Sequence, residues 1–167
     1  RWRNIMTGPE VKIGIAWQGN PEYKADRHRS IPLSEFTPVA AIPGIRLYNL
    51  QLGFGAEQLD TVGWQSAVTR SGSDCDADGG FLDTAAIIKN LDLVITSDTS
   101  IAHLAGALGV ETWLALAHVP DWRWGLSGGA TPWYPWMKLY RQQSPGDWAG
   151  VFSRIAAELE TRIREFP

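Results

Sequence analysis

Residues 93–109 read LVITSDTSIAHLAGALG and indicate the fold class. They begin with an apolar, partly β-branched run, Leu93 to Thr96, which predicts a buried strand. Polar residues then lead into Ile101 to Leu108, which predict a helix, and Gly109 is the glycine expected just after a helix. A strand that passes through a short polar loop into a helix is typical of α/β domains.

Strand-like and helix-like segments alternate on both sides of this stretch. Further strands are predicted at residues 11–17, 45–50, 110–116 and 137–140. Further helices are predicted from Ser34, as the N-cap, to Pro43-Gly44, at Ala56 to Asp60, at Thr84 to Leu91, and at Trp148 to Phe166 with Asp147 as the cap. The alternation predicts one domain with an open parallel sheet and helices on both faces.

Composition excludes several functional classes. The 167 residues carry a net charge of −3, which gives no electrostatic reason to expect nucleic-acid binding. No run of apolar residues is long enough to predict a membrane span. Cys75 is the lone cysteine, which argues against a disulfide scaffold and predicts a cytoplasmic protein. The chain begins at Arg1 without a methionine, so we expect a fragment of a longer protein.

The loop after the strand at residues 93–96 carries the strongest chemical signal. Ser100 is predicted to cap the following helix, which places His103 in its first turn. Free backbone N–H groups, the hydroxyls of Thr99 and Ser100, and the His103 imidazole would then converge on one point, which suits a phosphate. The alternative is that Asp98 or Ser100 only caps the helix while His103 packs beneath it, and the spacing leaves both interpretations open.

A second candidate anion-binding loop follows the first predicted strand. Lys24, Arg27, His28 and Arg29 place four basic side chains within six residues of an otherwise acidic protein. A solvated loop is the ordinary explanation for such a cluster. However, the carboxyl ends of parallel strands meet at one edge of the sheet, so two such loops there favour a binding site for an anionic ligand.

Several known site patterns are absent or lack their context. Neither Gly-x-Gly-x-x-Gly nor a P-loop follows a predicted strand, which argues against a dinucleotide dehydrogenase and a P-loop NTPase. His103 and His118 lack the spacing of a metal site, so no metal is expected. Residues 125–129 match the Gly-x-Ser-x-Gly pattern of a nucleophile elbow, but no strand leads into them, and we interpret them as a flexible loop.

Six short motifs carry a family resemblance that covers nearly the whole chain. They are IAWQGNP (15–21), DRHRS (26–30), DTA (83–85), LDLVI (91–95), DTSIAHLAGALG (98–109) and DWRW (121–124). Together they resemble the C-terminal half of bacterial glycosyltransferases that are often fused to tetratricopeptide repeats. That group is similar to the ADP-heptose heptosyltransferases and, more distantly, to the O-linked N-acetylglucosamine transferases.

The resemblance implies one Rossmann-like half of a GT-B fold, with residues 1–167 as a single nucleotide-sugar-binding domain. By similarity, the donor diphosphate would be bound by residues of two loops, Asp98, Thr99, Ser100 and His103 in one and Lys24, Arg27 and Arg29 in the other. Gln51 would lie near the nucleoside. No cofactor or metal is implied, the catalytic base would belong to a missing N-terminal acceptor domain, and this half alone would be inactive. Heptosyltransferases usually carry a smaller residue, often glycine, at the position of Ser100.

Two alternatives to a glycosyltransferase remain open at this point. A GT-B-like sugar-nucleotide epimerase would use the same diphosphate site without an acceptor. A non-catalytic nucleotide-binding or scaffold module would keep the fold with a degenerate site. The tryptophan-rich segment from Trp122 to Trp136 either packs on the domain or contacts a partner.

Overall fold

Six parallel strands form the centre of the molecule. The computed structural model describes residues 1–165, and the strands are Val11–Ala16 (β1), Ile45–Asn49 (β2), Val68–Thr69 (β3), Leu93–Ser97 (β4), Thr112–Leu116 (β5) and Met137–Arg141 (β6). Their order in the sheet is β3-β2-β1-β4-β5-β6, and every neighbouring pair is parallel. This is the strand order of a doubly wound Rossmann-like sheet, in which the chain changes direction between β1 and β4.

Six α-helices and four short 3-10 helices precede, connect or follow the strands within residues 1–165. The α-helices are Trp2–Ile5 (α1), Asp26–Arg29 (α2), Thr37–Ala40 (α3), Leu82–Ile88 (α4), Ser100–Ala107 (α5) and Trp148–Glu165 (α6). The 3-10 helices are Leu33–Phe36, Ala56–Asp60, Gln65–Ala67 and Trp122–Trp124. Of these helices, none within residues 1–165 is both long enough and apolar enough to cross a bilayer.

Helices cover both faces of the sheet, as the sequence predicts. On one face α3 and α6 pack over the strands, and the Phe36 and Phe152 rings meet with centroids 4.3 Å apart. On the other face α1, α4 and α5 bury Tyr48, Ile88 and Val94. Because both faces are covered, β4 and β5 are buried at every residue, which explains their nearly continuous apolar sequence.

The predicted strands are all confirmed, whereas the helix starts predicted at Ser34 and Thr84 are wrong. Ser34 lies inside the 3-10 helix and caps nothing with its side chain; Gln58 Oε1 instead accepts from the Leu33 N–H at 2.9 Å. The helix predicted from Thr84 begins at Leu82, because Asp76 accepts from the N–H groups of Asp83 and Thr84 at 2.7 and 3.3 Å. Both partners lie outside the helices that they cap, 25 residues after Leu33 and 7 residues before Asp83.

The last helix, α6, begins where the sequence predicts. Asp147 caps α6 as predicted, since its Oδ1 accepts from the Gly150 N–H at 2.9 Å. The predicted end of that helix, Phe166, lies outside the described residues. Strand β3 and the short helices α1 and α2 have no counterpart in the sequence prediction.

The acidic segment around Cys75 has a structural role. The carboxylate of Asp76 caps α4, and the Asp83 carboxylate accepts from Trp2 Nε1 at 2.7 Å. Cys75 is buried beside them, and burial raises the pKa of its thiol. The Cys75, Asp76 and Asp83 ligand atoms lie close enough together to hold an ion, but both carboxylates already accept hydrogen bonds within the fold.

Candidate functional site

A cavity opens at the carboxyl edge of the sheet, where the loops after β1 and β4 diverge. Its volume is about 550 Å³, and we call it the first cavity. Its walls include polar residues from three loops and two phenylalanines, namely Gln18, Gly19, Arg29, Gln51, Thr99, Ser100, Phe54 and Phe81. In a doubly wound sheet this crevice is where ligands bind.

The N-terminus of α5 forms one wall of the first cavity. Thr99, and not Ser100 as predicted, is the N-cap residue, with extended backbone angles of φ −137° and ψ 178°. Ser100 is therefore the first residue inside the helix. The Thr99 side chain makes no capping bond, and its buried Oγ1 has no hydrogen-bond partner within residues 1–165. A buried hydroxyl without a partner is costly, so the Thr99 Oγ1 is a hydrogen-bonding group that a ligand or a water can satisfy.

Arg29 lines the same cavity and is held at three points. Its Nε donates to Asp26 Oδ1 at 2.9 Å, its Nη1 donates to the Asp98 carbonyl oxygen at 2.9 Å, and its guanidinium lies 4.8 Å from the centroid of the Tyr23 ring. Nη2 makes no hydrogen bond within residues 1–165. The guanidinium is thus oriented in advance and keeps donors free for an anionic ligand.

Gly19 allows this arrangement because it has no side chain. A β-carbon at that position would lie 2.0 Å from Asp26 Oδ1 and 2.8 Å from Arg29 Nη2. Asp26 is buried and also accepts from Gln18 Nε2 at 2.9 Å and from the Ser30 hydroxyl at 2.7 Å. The loop after β1 is therefore built around the Asp26 carboxylate, and that network fixes Arg29.

Gln51 lies in the wall of the first cavity, but its amide already has partners in the protein. Oε1 accepts from the N–H groups of Trp17 and Gln18 at 3.2 and 2.9 Å, and Nε2 donates to the Phe54 carbonyl oxygen at 2.9 Å. Gln51 thus ties the loop after β2 to the loop after β1. Phe54 and Phe81 are half-exposed and give the cavity an apolar side.

A second cavity of about 910 Å³ adjoins the first and shares Asn20 and Arg29 with it. We call it the second cavity; its polar lining includes Arg27, Asp98, His118, Asp121, Arg123 and Gln142. Asp98 is 6% exposed, and its carboxylate accepts no hydrogen bond from residues 1–165. Asp121 forms an ion pair with Arg123 at 3.3 Å.

The structure brings together some of the predicted site residues and separates others. Thr99, Ser100 and Arg29 line the first cavity, and Asp98, Arg27 and Arg29 line the second. Lys24 is exposed and lines neither cavity.

His103 also lies outside the lining of both cavities. Its ring stacks on Trp124 with centroids 5.3 Å apart, and its Nδ1 lies 3.0 Å from the Tyr134 hydroxyl. Burial lowers the pKa of His103, although the nearby Asp98 charge opposes that effect. The Tyr134 ring in turn covers Gly106, where a β-carbon would lie 2.6 Å from the ring. His103 therefore packs α5 against the tryptophan-rich segment.

The tryptophan-rich segment has both buried and exposed members. Trp124 is buried, whereas Trp122, Trp133 and Trp136 are more than half exposed. Arg141 holds the loop between them, since its guanidinium donates to the carbonyl oxygens of Trp124, Gly125, Ser127 and Gly128. This loop has no nucleophile elbow, because a 3-10 helix precedes it and no helix follows it before β6.

Three important residues were missed by the sequence prediction. Asp26 belongs to the DRHRS motif, and its position three residues before Arg29, a helical spacing, is the signal that could have identified it. Tyr134 contacts His103 from 31 residues further along the chain, and Gln142 contacts His118 in the second cavity from 24 residues further along, so local spacing predicts neither contact.

Comparison with known proteins identifies a relative in sequence. No protein-family model matches the chain. Protein FlbA of Caulobacter vibrioides is 31% identical over 167 aligned positions, which cover 95% of this chain and 26% of FlbA. The chain thus spans about a quarter of that relative's length.

Solved structures of E. coli heptosyltransferases are similar in fold. ADP-heptose LPS heptosyltransferase II matches with a TM-score of 0.62 and 14% identity, over 95% of this chain and 48% of that one. Heptosyltransferase WaaC with ADP matches with a TM-score of 0.56 and 14% identity, over 98% and 47% of the two chains. WaaC with ADP-2-deoxy-2-fluoro heptose matches with a TM-score of 0.53 and 15% identity, over 97% and 45%. The chain therefore has the Rossmann-like fold of one half of a GT-B glycosyltransferase, as the heptosyltransferases do.

Proposed function

We propose that this domain binds the nucleotide-sugar donor of a glycosyltransferase. The first cavity would hold the nucleoside and the diphosphate, with Thr99, Ser100 and Arg29 against the phosphate oxygens and the apolar side of Phe54 and Phe81 against the base. The observation that carries the proposal is the unpartnered, buried Thr99 hydroxyl in the same cavity wall as the free Nη2 of Arg29. Two donors at a helix N-terminus favour a phosphate over a neutral ligand.

This arrangement suits the chemistry of glycosyl transfer. In the reaction, the bond between the anomeric carbon and the diphosphate oxygen breaks, and a bond to the acceptor oxygen forms. The departing diphosphate gains negative charge, which the α5 N-terminus, the Thr99 hydroxyl and Arg29 would stabilise. The acceptor proton must pass to a base, which we place in a second domain that binds the acceptor.

The proposal of a second domain is supported by the extent of the similarity. The chain covers 45–48% of the heptosyltransferases that it resembles in fold. A fusion to tetratricopeptide repeats, and a distant relation to the O-linked N-acetylglucosamine transferases, rest on the sequence resemblance. The donor roles of Lys24, His103 and Gln51 stay predictions of that resemblance, and the site proposed here does not use Lys24 or His103, which line neither cavity.

A binding screen tests the proposal. Isothermal titration calorimetry of the intact protein with ADP, GDP, UDP and dTDP should give saturable binding of at least one diphosphate, and excess EDTA should leave that affinity unchanged, since we expect no metal. No binding of any diphosphate at millimolar concentration would reject the proposal. Loss of binding in EDTA would reject the metal-free site.

A further inference from the structure

The second cavity contains a buried amide donor without a partner. Gln142 follows β6, lies in the cavity wall and is 6% exposed. Its Oε1 accepts from the N–H groups of His118 and Gly146 at 3.0 and 3.2 Å, and that pair of donors fixes which amide atom is oxygen. Nε2 has no hydrogen-bond partner within residues 1–165.

His118 adds an acceptor to the same wall. Its Nδ1 lies 3.3 Å from the Gln142 carbonyl oxygen, which can only accept, so Nδ1 carries the proton. In the neutral ring, Nε2 is then an acceptor. The Asp98 carboxylate, which accepts no hydrogen bond from residues 1–165, supplies further acceptor atoms to the same cavity.

The donors and acceptors in the second cavity fit a polyhydroxylated ring. A hydroxyl group both donates and accepts, so a polyhydroxylated ring requires donors and acceptors side by side. The amide of Gln142 and the carboxylate of Asp98 meet that requirement, and Ala117, Val119 and Pro145 supply apolar surface for the C–H groups of a ring.

The position of the cavity supports the same conclusion. Arg29 belongs to both cavities, so a ligand whose diphosphate lies against Arg29 in the first cavity can extend directly into the second. We infer that the second cavity receives the glycosyl group of the donor, and that Gln142 and His118 contribute to its selection. This inference rests on the proposed function, and it assigns the sugar end of the ligand to named residues.

The inference is tested by comparing a diphosphate with its sugar esters and a cavity variant with a control variant. In the intact protein, the diphosphate that binds best in the screen is compared with its glucose, galactose and N-acetylglucosamine esters. Gln142→Glu keeps the Oε1 acceptor for the loop, replaces the free donor by a second acceptor and adds one negative charge. Gln143→Glu makes the same change at the neighbouring exposed residue, which lines neither cavity, and is the matched control.

We expect Gln142→Glu to weaken the tightest-binding ester about tenfold, the effect of one lost hydrogen bond, while the diphosphate changes less than about threefold. His118→Ala should show the same selectivity, and it supplies the test if Gln142→Glu fails to fold. Gln143→Glu should change neither affinity. Equal losses for ester and diphosphate, or no loss of ester binding, would overturn the inference while the proposed function stands. Absence of diphosphate binding in the unmodified protein would overturn both.

Discussion

Arg29 Nη1 donates to the backbone carbonyl oxygen of Asp98 at 2.9 Å and so joins the loop after β1 to the loop after β4 across the switch point of the sheet. If the diphosphate binds here, Arg29→Gln removes its cationic partner. We expect a loss of diphosphate affinity of about 10- to 100-fold, which corresponds to ~1.5–3 kcal/mol for a hydrogen bond to a charged group. Calorimetric titration measures it.

Lys24→Gln is the matched control for this variant, since it also removes one positive charge from the same loop. Lys24 is exposed and lines neither cavity, so its loss should change the affinity less than about threefold at 0.15 M salt, where exposed charges are screened. Equal losses for the two variants would mean that only the general positive charge of the loop matters.

Thr99→Val tests the unpartnered hydroxyl. Valine has nearly the same shape and carries a methyl group in place of the hydroxyl, which has no hydrogen-bond partner within residues 1–165. Diphosphate affinity should fall about tenfold, the effect of one hydrogen bond, while the melting temperature should stay the same or rise because an unsatisfied buried group is removed. A lower melting temperature with unchanged affinity would show that the hydroxyl serves the fold.

His103→Gln tests the histidine between Trp124 and Tyr134. Burial lowers the pKa of His103 in the folded protein, so its neutral form is favoured there. Its contribution to stability is therefore present above the unfolded pKa of about 6.5 and is lost as the pH falls through the folded pKa. Between pH 7.5 and 5 the melting temperature of the unmodified protein should fall further than that of the variant.

The affinity of the same variant separates the two roles of His103. Because its ring contacts Trp124 and Tyr134 and lines neither cavity, we expect the variant to lose more stability than diphosphate affinity. A tenfold loss of affinity with an unchanged melting temperature would instead place His103 on the phosphate.

The sequence predicts the sheet well and the site in part. Strands such as β4 are continuous apolar runs because helices cover both faces, and that requirement is visible in the sequence. Strand β3 has two residues within a Gly- and Asp-rich segment, too few to produce a pattern. The caps at Ser34 and Ser100 were predicted wrongly because local spacing does not reveal that Gln58 supplies one cap or that Thr99 occupies the other position.

The sequence predicts some site residues and not others, because only local patterns can be recognised in it. The loop containing Thr99 follows a strong strand and precedes a helix, so its place at the sheet edge can be predicted. The orientation of His103 depends on Trp124 and Tyr134. The role of Gln142 depends on its hydrogen bond to His118 in the loop after β5. Both sets of contacts join residues that are far apart in the chain. Such contacts leave no periodic signal in a single sequence.

Arg141→Met tests how the tryptophan-rich segment is held. The guanidinium donates to four carbonyl oxygens of residues 124–128, and methionine keeps much of its apolar stem without any donor. We expect a loss of ~2–4 kcal/mol in the free energy of unfolding, measured by urea titration. Arg70→Met breaks only an exposed ion pair with Asp60 and should cost less than about 1 kcal/mol. Similar losses would contradict the role given to Arg141.

The most direct test of the donor site is a map of backbone amide chemical shifts in the intact protein, titrated with whichever of ADP, GDP, UDP and dTDP binds most tightly. We expect the largest changes at Gly19, Thr99 and Ser100, at the carboxyl edge of the sheet. Lys12 and Asp92, whose pairing lies at the opposite edge, should stay unchanged. Changes confined to that opposite edge, or no change with any of the four diphosphates, would contradict a donor site between β1 and β4.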